Sequence, residues 1–177
     1  SRWDVSSVGD MNYMFASAIS FNGDISKWDV SIVRRTYNMF FNAVSFNGDV
    51  SKWDVSRVSH MGDMFSGAKS FDGDILKWDV SSVAHMDNMF RNAQSFKRKL
   101  CGPAWVSSKA SKTGMFDGSP GLIARKICIA IAAFSPRSKE ELKIAVDECL
   151  NHSPQGDCAK GPNRAIGEWD VSRVTDM

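Results

Sequence analysis

The sequence is poor in the residues and patterns on which most catalysis rests. Three histidines and four cysteines are spread over 177 residues, with no C-x2-C pair to begin a zinc site. No nucleophile, base and orienting group stand at a recognisable spacing, so no Ser-His-Asp or Cys-His set and no enzymatic activity are expected. The best apolar run, Ile127–Phe134, spans eight residues, far short of the roughly 18–20 that cross a bilayer, and it sits too deep in the chain for a signal peptide. An excess of one charge is lacking too. With 22 Lys+Arg against 20 Asp+Glu the net charge is +2, and the basic residues read as scattered rather than gathered to track phosphates, so nucleic acid is not an expected partner.

What the chain does contain is a repeat. Trp3, Trp28, Trp53 and Trp78 recur every 25 residues, as do Phe21, Phe46, Phe71 and Phe96 and the pairs Met14-Phe15, Met39-Phe40, Met64-Phe65 and Met89-Phe90. One unit reads F-N-G-D-I-S-K-W-D-V-S-x-V-x-x-M-x-x-M-F-x-x-A-x-S. A unit of this size cannot bury its own apolar stripe, whereas stacked neighbours share a continuous core. The expected fold is therefore an α/β repeat solenoid, leucine-rich-repeat-like, with about 25 residues per coil. Val30, Val33, Met39, Phe40 and Ala43 step by three or four residues, which predicts a short helix or 3₁₀ segment begun by Ser31. A step of two around Lys27–Val30 predicts a short strand, joined to its copies in a parallel sheet at roughly 4.8 Å spacing. The Trp and Phe columns are read as core spines.

Other columns face outward. Asp10, Arg35, His60 and His85 form one, and Ala16, Phe41, Ser66 and Arg91 another, their variation pointing to solvent or a partner. His60 and His85 lack a third ligand, so no metal is assigned to them. Asp4, Asp29, Asp54 and Asp79 recur after the tryptophans, and Asp24, Asp49 and Asp74 after the glycines. For the first set the favoured role is capping of backbone N–H groups near Ser6, Ser31, Ser56 and Ser81 together with pairing to Arg2, Lys27, Lys52 and Lys77, and calcium at Asp24, Asp49 and Asp74 is the competing reading.

A degenerate fifth unit carries Trp105 and Met115-Phe116. Beyond it, Ser138 and Glu141 form a capping box for a helix with the stripe Leu142, Ala145, Val146, Cys149 and Leu150. The repeat motif returns at Trp169, 166 residues after Trp3. The expected organisation is a four-unit solenoid over 1–96, a capping unit over 97–121, a linker over 122–136, a helical cap of a following array over 137–168, and the first coil of that array over 169–177. The coils at either end are expected to expose core and to join other modules.

The cysteines Cys101, Cys128, Cys149 and Cys158 all lie outside the regular units. An even number in irregular segments suits two disulfides in an oxidising compartment, against the alternative of four reduced thiols. The helix end folding back through a Pro/Gly loop favours Cys149–Cys158, and Cys101–Cys128 would tie the cap to the apolar segment after it. Asn151-His152-Ser153 is a glycosylation sequon, weakened by Pro154.

The strings W-D-V-S-x-V-x-x-M-x-x-M-F and F-N-G-D-I-S-K-W over residues 1–96, and the segments Leu100–Trp105 and Gly156–Cys158, resemble the BspA-like leucine-rich-repeat surface protein family, in the style of its marine microalgal members. The resemblance implies a secreted or surface-displayed protein of adhesion or assembly, without cofactor, whose partners are further copies or flanking modules, extracellular protein or glycan. It carries over no functional residue. The alternative is recognition of glycan, mineral or ice by a regular face bearing Lys27, Lys52 and Lys77; with only Thr36, Thr113 and Thr175 as threonines, a flat threonine ladder for ice is missing.

Overall fold

The computed structural model describes residues 3–128, 136 and 138–152. The chain divides into two compact units, Ser1–Cys128 and Ile129–Met177.

In the first unit, successive 25-residue coils lie one on another, and the contact is made by backbone that is neither helix nor sheet. From Met11 to Ser17 the N–H groups alternate in direction. Those of Met11, Tyr13, Phe15 and Ser17 donate to the carbonyls of Arg35, Tyr37, Met39 and Phe41 in the next coil at 2.6–3.0 Å, while those of Met14, Ala16 and Ala18 turn back within their own coil to Met11, Tyr13 and Phe15 at 3.0–3.3 Å. The same alternation links Thr36–Asn42 to the third coil, Met61–Gly67 to the fourth and Met86–Asn92 to the fifth. An α-helix would spend these donors internally and leave none for stacking.

The alternation requires left-handed backbone once every four residues. One column of positive φ runs through Tyr13, Asn38, Asp63, Asn88 and Gly114, and a second through Ser17, Asn42, Gly67, Asn92 and Gly118, with φ between 52° and 72°. Asn, Asp and Gly dominate because they tolerate this region at least cost. The helix or 3₁₀ segment expected from Ser31 is thus replaced by a run of turns. Its Met-Phe spacing matches a helical stripe because a chain of four-residue turns returns apolar side chains inward at similar intervals. The strand expected at Lys27–Val30 is also absent. Parallel pairing between coils falls on single residues elsewhere, Asp10↔Arg35↔His60↔His85↔Ser111.

The core is a double ladder of phenylalanine rings. Phe15, Phe40, Phe65, Phe90 and Phe116 stack at 5.4–5.7 Å. Phe21, Phe46, Phe71 and Phe96 stack beside them at 5.8–5.9 Å, and within each coil the two rings lie 3.9–4.0 Å apart. The ring centroids are thus spaced more widely than the sheet spacing of about 4.8 Å, as offset stacking allows. Val33, Met39, Phe40 and Ala43 are fully buried. Trp28, Trp53 and Trp78 are buried as well, whereas Trp3 is 63% exposed. Burying an indole requires a partner for its N–H, and the preceding coil supplies it: Trp53 donates to the Ile25 carbonyl at 3.1 Å and Trp78 to that of Val50 at 2.9 Å.

The degenerate unit ends the ladder. Strand β1 (Lys99–Leu100) leads through Gly102 into helix α1 (Pro103–Ser107), whose proline stands in the first turn, where no N–H is needed. A Cβ at Gly102 would collide with the Leu76 carbonyl. This close approach delivers Trp105, fully buried, to the carbonyl of Ile75 at 3.0 Å, so it holds the tryptophan column despite its irregular spacing. Strand β2 (Leu122–Ile123) pairs in parallel with β1, Ala124 N–H donates to Leu100, and Cys128 is disulfide-bonded to Cys101. Residues 122–128, read from the sequence as the start of a linker, instead belong to the first unit: apolar Ile123 and Ala124 pack where a sixth coil would lie.

In the second unit, helix α2 (Lys139–His152) begins after Ser138, whose hydroxyl accepts the Glu141 N–H at 3.2 Å. Ala145 and Cys149 are buried, whereas Leu150 is 45% exposed. Cys149 is disulfide-bonded; its expected partner, Cys158, and the coil at 169–177 lie outside the described residues. Among the described residues no helix is long and apolar enough to cross a membrane.

Candidate interaction surfaces

The invariant aspartates cap turns. Oδ1 of Asp4, Asp24, Asp29, Asp49, Asp54 and Asp79 accepts the N–H of the serine two residues on at 2.9–3.0 Å; for Asp74 the donor is Leu76 at 3.1 Å. The serine hydroxyl adds a second bond in several coils, at 2.6–2.7 Å. These bonds, the hydroxyl's first and the N–H second, hold the serine-capped carboxyls below the usual carboxylate range. Repulsion from the aspartate one coil away acts in the opposite direction, most weakly, on Asp29, Asp49, Asp54 and Asp79. Hydrogen bonding thus makes a column of like charges tolerable. Asp24, Asp49 and Asp74 sit in these turns, and among the described residues no three His, Cys, Asp or Glu side chains gather closely enough to hold a metal ion.

The bridge column is outward. Arg35 pairs with Asp10 at 3.6 Å. The rings of His60 and His85 lie 4.9 Å apart, and their Nδ1 atoms engage the hydroxyls of Ser59 at 2.8 Å and Ser111 at 3.3 Å. Ser111, His85 and Asp87 bring together three residue types used in hydrolysis, but in the wrong order. The hydroxyl of Ser111 donates straight to Asp87 at 2.5 Å, so no imidazole stands between nucleophile and carboxylate. Asp87 also accepts the Thr113 N–H at 2.7 Å, which makes it a staple between coils.

The second variable column departs from expectation. Ala16 and Phe41 are half-buried, Arg91 is exposed, and Ser66 is buried at 5%. Ser66 and Gly67 are small where the flanking coils carry Phe41-Asn42 and Arg91-Asn92, so a shallow polar notch opens there, edged by Asp63 and Lys69. Asn42 crosses into it; a Cβ on Gly67 would collide with its amide oxygen.

The end face of the first coil is an apolar mouth formed by Trp3, Phe15, Phe21, Ile25 and Trp28. At each internal junction the corresponding surface is covered by the preceding coil. Lys27, Lys52 and Lys77 are all exposed, as is Asn151 in the last turn of α2. Sequence reasoning missed the two left-handed columns, although Asn, Asp or Gly recurring at 38, 63 and 88 and at 42, 67 and 92 is their signal.

A family model described as a Mycoplasma protein of unknown function, DUF285, matches residues 1–105, the regular coils together with the Trp105 position. No curated protein and no solved structure matches the chain.

Proposed function

The chain belongs to the DUF285 family, and from that premise we propose that it is a non-enzymatic structural or adhesive module, a BspA-like solenoid of the cell surface or extracellular space that assembles end to end. The observation that carries this reading is the interchangeability of the coil junction. One set of backbone donors, one pair of stacked rings and one indole bond recur at successive junctions. The Trp3 mouth presents the same apolar residues that a preceding coil covers at the internal junctions. The occupant that fits it is another coil of the same motif, in a flanking module or a second copy. The Cys101–Cys128 disulfide is compatible with an extracellular location.

Light scattering of the 177-residue chain should show oligomers that grow with concentration and that Trp3→Lys suppresses while lowering the melting temperature by no more than about 4 °C. A compact monomer at high concentration removes the reading.

A further inference from the structure

Basic residues that read as scattered along the whole chain are enriched in one segment, and its fold brings some of them together. Residues 97–128 hold seven Lys and Arg against the single acid Asp117, an excess of six in a chain whose total is +2. The parallel pairing of β1 with β2 sets Lys99 opposite Leu122, and the Cys101–Cys128 bond fixes the exit of that segment. Lys99, Arg125 and Lys126 thereby line one concave cleft of about 630 Å³ with Leu122, Ile123 and Ala124. All three cations are exposed, and no carboxylate is among the lining residues. The neighbouring Asp72 is already engaged by Arg98 at 3.1 Å and Lys97 at 3.9 Å. Like charges lining one cleft repel one another, and apolar walls strengthen their field.

We infer that this cleft is a binding site for a polyanionic polysaccharide, one bearing sulfate or carboxylate groups along its chain. The inference rests on the surface-module reading in one respect, the compartment. The Cys101–Cys128 disulfide, which ties down the segment that follows the cleft residues, persists where conditions are oxidising, and acidic polysaccharide is the polyanion met there. Exposed Leu122 and half-buried Ile123 offer apolar contact to sugar rings between the charged groups. The site lies in the irregular capping segment and makes no use of the regular lysine row.

The test is binding of the full chain to heparin, with alginate as the carboxylate arm and neutral dextran as control, across a salt series. Heparin or alginate should bind and dextran should not; whichever arm is tighter assigns sulfate or carboxylate. The triple variant K99A/R125A/K126A should weaken binding at least tenfold and reduce the salt slope by about two to three. K27A/K52A/K77A, with the same charge loss on the regular face, should stay within twofold of wild type. Reduction of Cys101–Cys128 should weaken binding as the K99A/R125A/K126A triple does. Equal loss in both triples, or none in the first, overturns the site; tighter binding to duplex DNA or to phosphatidylserine vesicles at the same salt overturns the ligand class. Light scattering of the same samples without polysaccharide separates the two proposals. Assembly without binding sinks only the cleft, and binding by a strict monomer sinks only the end-to-end reading.

Discussion

Replacing Trp53 with alanine tests both the packing and the indole bond that define the stack. The side chain is 5% exposed, and its N–H reaches the Ile25 carbonyl of the preceding coil. Its ring centroid lies 6.4 Å from that of Phe40. Truncation removes a large buried group between coils whose separation is held by the adjoining phenylalanine ladder, so the cavity collapses poorly, at a cost of about 3–5 kcal/mol. The Ile25 carbonyl keeps its bond from the Trp28 N–H at 3.1 Å, so loss of the indole bond adds about 1 kcal/mol and no more. A total of about 4–6 kcal/mol is a large share of the roughly 5–15 kcal/mol that stabilises a domain, and at about 4 °C per kcal/mol it lowers the melting temperature by about 15–25 °C. Trp53→Phe keeps most of the packing and isolates the hydrogen bond, at about 1 kcal/mol. Trp3→Ala, at a site 63% exposed, should cost less than about 1 kcal/mol, and Arg57→Ala less than about 0.5. Near-ultraviolet circular dichroism with calorimetry reads all four. Equal losses at Trp53 and Trp3 would refute the claim that the tryptophan column is held between coils.

The left-handed columns make a second prediction: Asn88→Ala should destabilise by about 1 kcal/mol while Asn88→Gly stays near wild type, and Gly67→Ala should cost more than either, part of it recovered by adding Asn42→Ala; chemical denaturation of the set checks this, and equal Ala and Gly effects at 88 would contradict the backbone assignment. A third concerns acid. The serine-capped aspartates have folded pKa values below the ordinary 3.8, so the stability they contribute is present above that value and is lost as pH falls through the lowered ones. The melting temperature should therefore be flat from pH 7 to about 5 and fall below about pH 4. A rise on acidification would mean that repulsion along the aspartate column outweighs its serine bonds.

The sequence by itself determined the period and most of the inward positions, because stacking copies the same residue into the same environment every 25 positions. Val33, Met39, Phe40 and Ala43 could be placed in the core for that reason, and the Ser138 cap could be read because it is a local hydrogen bond. Tertiary structure alone decided how a coil joins the next. The chain divides its donors between its own turns and its neighbour, a choice among hydrogen-bond partners far apart in sequence, so the same Met-Phe spacing suits a helix or a run of turns equally well. It likewise decided where β2 docks, since only the completed stack offers Leu122 and Ile123 an edge to pair with. That docking brings Arg125 and Lys126 to one cleft with Lys99, a concentration of charge that chain order hides because the residues are neighbours only once the last coil is covered.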